Sequence, residues 1–104
     1  MEPETQHGPI RLPARVEVSA ASAKGLSLIS PEPMKAGTLL EFDVLMGARP
    51  LAVMARVREC RPQPPGHAVA VDFVAMAHVD RDTLADFLQA VGVGALHVRE
   101  HREE

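Results

Sequence analysis

The sequence predicts a small, mainly β domain: an antiparallel barrel of five to six strands, with a C-terminal α-helix packed on its side. Three observations predict it. Five apolar, extended runs lie between residues 15 and 74, and the first, fourth and fifth alternate with a period of two, the signature of strands with one buried face. Turn-forming residues separate them, drawn from 7 Gly and 9 Pro. After residue 79 the apolar spacing lengthens to that of a helix.

The first strand is expected over Arg15–Ser19, with Val16 and Val18 on one face and Arg15, Glu17 and Ser19 on the other. The small residues from Ala20 to Gly25 connect it to a second strand, Leu26–Ser30, making a hairpin. Pro31 and Pro33 stop that strand, because proline cannot donate to a ladder. Gly37 precedes the third run, Leu39–Met46, and the sequence from Gly47 to Pro50 makes the next turn. The fourth run, Leu51–Cys60, puts Val53, Ala55, Val57 and Glu59 on one face and Arg56 and Arg58 on the other. Arg61 to Gly66, rich in proline, reads as a turn. The fifth strand, His67–Val74, sets Val69, Val71 and Phe73 opposite Ala68, Ala70 and Asp72.

Asp80 is a good helix N-cap, and Leu84, Phe87, Leu88 and Val91 fall at helical spacing, forming one apolar stripe. Gly92 and Gly94 end the helix. The chain therefore divides into an N-terminal arm over residues 1–13, a barrel with its helix over 14–92, and a charged tail over 93–104 that frays as helix or stays unstructured. A length of 104 residues fits one domain of modest core.

Charge and aromatic content exclude several classes. The net charge is −3: residues 1–79 hold eight basic and eight acidic side chains, and residues 80–104 hold three and six. A nucleic-acid binder needs a basic excess, and stacking platforms need exposed aromatics. Here the aromatics are Phe42, Phe73 and Phe87, all within apolar runs, so no nucleic-acid polymer is expected as a partner. No apolar stretch approaches the roughly 18 residues of a membrane helix, and none reads as a signal peptide, so the expected location is cytoplasmic, without membrane insertion. The single cysteine, Cys60, cannot form an internal disulfide and reads as a small buried apolar residue.

No catalytic or metal-binding grouping stands out. The acidic residues are scattered, and no phosphate-cradling glycine loop of the nucleotide-hydrolase or dinucleotide type is present. His97 and His101 could share a helix face, but two imidazoles without a third ligand in register do not define a metal site. The expectation is a non-enzyme with no metal and no cofactor. One segment does have a distinctive shape. Arg11 and Arg15 stand four apart, and Ser22 and Gly25 occupy a tight turn between two strands. Paired arginines suit phosphates and purine faces, and a serine–glycine turn lets a planar base approach backbone.

From Arg15 to Leu88 the order of elements resembles the PilZ family: strand, Ser-x-x-Gly turn, Leu26-Ser27-Leu28, Gly37 before a long strand, the Arg56–Arg58 strand, the strand from Ala70 to Phe73, and the Leu84/Phe87/Leu88 helix. The resemblance implies a bacterial receptor or adaptor for the second messenger cyclic di-GMP. The family's ligand motif is an Arg-x-x-x-Arg on an N-terminal arm, then an Asp/Asn-x-Ser-x-x-Gly turn. Arg11 and Arg15 match the first half in form, and Ser22 and Gly25 match the second. Ala20 stands where the acidic or amide residue belongs, and only four residues separate it from Arg15, where the family usually has an additional strand. An alanine cannot accept a hydrogen bond from a guanine edge, and an arginine held in a strand cannot swing over a ligand. The resemblance with these departures implies an adaptor of motility or surface behaviour that works through a protein partner, with weak or no cyclic di-GMP binding. The alternative is a true cyclic di-GMP receptor using Arg11, Arg15, Ser22 and Gly25. An unrelated small barrel serving as an oligomerisation module is a third possibility.

Overall fold

The computed structural model describes residues 12, 13 and 15–100. Six strands form one antiparallel sheet: β1 (Glu17–Ala21), β2 (Gly25–Ser30), β3 (Leu39–Met46), β4 (Arg49–Gln63), β5 (Gly66–Ala75) and β6 (Leu96–Glu100). Their order across the sheet is β1-β2-β5-β4-β3-β6. The two edge strands, β1 and β6, contact one another without joining in the ladder, so the sheet is curled into a half-barrel. Helix α1 (His78–Val91) and a short 3₁₀ turn (Val93–Ala95) lie between β5 and β6.

The alternation read from the sequence in β4 and β5, together with the apolar runs of β2 and β3, places the core. Leu26 and Leu28 of β2, Leu40, Phe42 and Val44 of β3, Val53, Ala55 and Val57 of β4, and Val69 and Val71 of β5 are all buried inside the curl. Leu84 of α1 is fully buried among them, while Phe87 and Leu88 pack against the cluster. The helix thus covers part of the curl's apolar lining. Burying side chains of this size is worth about 1.5–3 kcal/mol each, which makes this cluster the main driving force of folding.

Several boundaries differ from the sequence expectation, each for a physical reason. Arg15 stands in a turn ahead of β1 rather than in the strand, with a φ of 67°. β4 extends to Gln63 through Pro62, where a turn was expected. Past Val57, β4 has only β5 as a ladder partner, so a proline's missing N–H can face the open side. The register shifts between Val57 and Glu59, so Arg58 is the extra residue of a bulge. Glu59 is consequently turned out to solvent instead of joining the Val53–Val57 face, and Cys60 turns inward, half-buried, its Sγ accepting the Met34 N–H at 3.4 Å.

The helix begins earlier than expected. Its N-cap is Ala77, which makes no side-chain capping bond, and Asp80 lies inside the first turn. A carboxylate there still complements the helix dipole. The apolar stripe stops short, since Val91 is 58% exposed. Gly92 ends the helix as predicted, with a φ of 88° and its N–H donated to the Leu88 carbonyl.

The largest correction concerns the tail. Residues 96–100 form a strand, not a frayed helix or unstructured segment: β6 pairs with β3 from Phe42–Glu100 to Met46–Leu96. Leu96 is buried in the core and Val98 packs against it. Arg99 fixes the strand from the other face, its Nε 3.2 Å from Oδ2 of Asp43, a carboxylate buried in the middle of β3.

Candidate functional site

The β1–β2 turn is built by its own polar groups. The Ser22 N–H donates to the Gly25 carbonyl at 2.9 Å, and the Lys24 N–H donates to Ser22 Oγ at 3.1 Å. This is the local serine bridge that favours tight turns. The turn is then tied to the sheet's interior: the Phe73 N–H donates to the Lys24 carbonyl at 2.9 Å. Gly25 lies directly across from Asp72 of β5. A Cβ at Gly25 would run into the Val71 carbonyl oxygen, so only glycine lets β2 enter the ladder here.

Beside this turn, on the face away from the core, is a hollow of about 350 Å³. Ala20, Ser22, Lys24 and Ser27 line it from the hairpin, and Arg58 and Asp72 line it from β4 and β5. Arg58 Nε lies 3.3 Å from Asp72 Oδ1, with side chains 60% and 53% exposed. The hollow therefore offers two cations, one carboxylate, two hydroxyls and a floor of small residues. Such a set can hold an anionic group together with a flat polar ring.

The predicted ligand residues are divided by the structure. Ser22 and Gly25 line this hollow together. Arg15 lines a different one, of about 410 Å³, with Leu12, Pro13, Val98, Arg99 and Glu100, between the entry to β1 and strand β6. Arg11 lies outside the described residues. Ala20 lines the first hollow and presents only a methyl group there. Lys24, Arg58 and Asp72 were not singled out from the sequence. The signal for Arg58 and Asp72 was their position on the outer face of adjacent strands; what brings them to the Ser22–Gly25 turn is the non-consecutive pairing of β2 with β5.

Among the described residues no three His, Cys, Asp or Glu side chains gather as metal ligands. His97 stands exposed on strand β6, not on a helix, and His101 lies outside the described residues. No helix among the described residues is long and apolar enough to cross a membrane.

A curled antiparallel sheet capped by one helix, with an open polar hollow at its first turn, defines a small β-barrel binding domain. The family model for the PilZ domain matches residues 4–90, and the chain belongs to that family. Members of this family bind or relay cyclic di-GMP as adaptor domains and are not enzymes as a class. No curated protein and no solved structure matches the chain.

Proposed function

We propose that the chain is a PilZ signalling adaptor that binds cyclic di-GMP weakly and acts mainly through a protein partner, in the control of motility or surface behaviour in a bacterium. It works in the cytoplasm and carries out no catalysis. One observation carries this reading: the two halves of the ligand motif are apart. Ser22 and Gly25 share one hollow, and Arg15 lines another. A ligand seated at the turn would lack the Arg15 guanidinium and an acceptor at residue 20. A charge-assisted hydrogen bond is worth about 1.5–3 kcal/mol, and each 1.4 kcal/mol is tenfold in affinity. Loss of the arginine contact alone weakens a micromolar site by about ten- to a hundredfold.

Calorimetric titration of the full chain with cyclic di-GMP tests this. The expected result is a dissociation constant well above micromolar. Submicromolar binding, at one or two ligands per chain, overturns it.

A second reading is favoured by Arg15 standing in a turn rather than in the ladder, which leaves it outside the strand's hydrogen bonds. There Arg11 and Arg15 grip the phosphate and guanine of the ligand, and Ser22 and Gly25 shape the turn that receives it, giving a full receptor. It requires tight binding that Arg15→Ala abolishes.

A further inference from the structure

We infer that Asp72, braced by Arg58, is the hydrogen-bond acceptor of the turn hollow, and that this pair selects a guanine-type base. The inference deepens the proposed function and rests on its reading of the hollow as a nucleotide site.

The placement comes first. Asp72 faces Gly25 across the β2–β5 ladder, and Ala20 lines the same hollow. Ala20 puts only a methyl group into the hollow, and the Asp72 side chain is 53% exposed, so a ligand edge entering the hollow can reach the carboxylate. The acceptor that residue 20 lacks is thus supplied to the same hollow from β5, on the far side of β2.

The charges come second. Lys24 and Arg58 against Asp72 leave the lining with one net positive charge, which suits a phosphate-bearing ligand. A carboxylate in such a hollow repels phosphate. It is useful only to a ligand that also presents N–H donors.

The bonding comes third. The ion pair joins Arg58 Nε to Asp72 Oδ1. Oδ2 and the terminal guanidinium nitrogens lie outside that bond, so the pair presents acceptors beside donors. Guanine offers the complement: two adjacent N–H donors and a carbonyl oxygen. Adenine has one donor group beside a ring acceptor on the corresponding edge, so it cannot give the carboxylate two parallel N–H bonds. As a purely structural feature the pair does little, since ion pairs this exposed contribute about 0–1 kcal/mol. Exchanging part of it for a ligand therefore costs the fold almost nothing.

The test is an NMR titration of the full chain with cyclic di-GMP and, separately, cyclic di-AMP, for the native sequence, Asp72→Asn, and Asp72→Asn combined with Ala20→Asp. The native chain is expected to prefer the guanine dinucleotide by about tenfold or more. Asp72→Asn should lose that preference by weakening cyclic di-GMP alone, and Ala20→Asp should restore part of it. If Asp72→Asn leaves cyclic di-GMP affinity unchanged or raised, or weakens both nucleotides equally, the assignment of Asp72 is overturned while the hollow stands as a site. If neither nucleotide shifts the Ser22, Gly25 and Ser27 resonances of the native chain at millimolar concentration, the reading of the hollow itself fails.

Discussion

Two arginine–aspartate pairs bridge neighbouring strands with nearly equal geometry, Arg58 to Asp72 at 3.3 Å and Arg99 to Asp43 at 3.2 Å. They differ in the carboxylate. The Asp72 side chain is 53% exposed, and that of Asp43 is 6% exposed. Water competes for Asp72, so its pair is weak and exchangeable. Asp43 has lost its water and depends on protein partners, so its pair is a latch that holds the last strand to β3. Distance alone therefore does not separate a binding group from a structural one on this sheet; solvent access does.

The largest effect that bears on this contrast lies in the backbone under the open pair. Gly25→Ala would force a methyl group into the Val71 carbonyl, which belongs to the ladder and cannot rotate away. Overpacking of this kind costs about 3 kcal/mol or more. For a chain of this length the melting temperature should fall by about 12 °C or more. A thermal melt close to that of the native chain would mean that β2 and β5 can separate locally at the hollow.

Arg99→Ala comes next. It takes the guanidinium from a buried carboxylate, a change that costs about 3–5 kcal/mol when the charge is left alone. Asp43 has a further interaction besides Arg99, so about 2 kcal/mol is expected in urea unfolding. Because β6 is an edge strand, hydrogen exchange should quicken first at residues 96–100. Uniform quickening across the sheet would show that Asp43 supports the whole core rather than β6.

Most of this architecture is legible in the sequence, and the exceptions share a cause. The alternation in β5, and in β4 up to Val57, identifies the buried residues because a period of two holds there, whereas β2 and β3 show themselves only as apolar runs, with Leu28 and Ile29 adjacent in β2 and Asp43 buried between Phe42 and Val44 in β3. β6 escapes notice because Leu96 and Val98 are the only apolar residues in its alternation, set among polar and charged neighbours; its strand character comes from pairing with β3, 50 to 58 positions earlier. The bulge at Arg58 is equally invisible, since Val57-Arg58-Glu59 reads as plain alternation until one residue is skipped in pairing. The candidate site divides in the same way. Ser22 and Gly25 announce a turn through local chemistry, whereas Asp72 joins them only through the β2–β5 pairing. Arg15 matches a motif by spacing, yet its hollow is formed with β6, the one strand the periodicity does not reveal.

The smallest expected effect is the most direct check on the comparison. Arg58→Ala removes the same kind of group as Arg99→Ala, from a bond only 0.1 Å longer by the two distances given above. If geometry set the strength of these pairs, the two substitutions would destabilise the chain equally. If solvent access sets it, Arg58→Ala should cost under about 1 kcal/mol, because water takes over the Asp72 carboxylate as soon as the guanidinium leaves. Urea unfolding of the two variants side by side decides between them. Equal losses would make the Arg58–Asp72 pair a second latch, too firmly committed to the fold to exchange with a ligand edge.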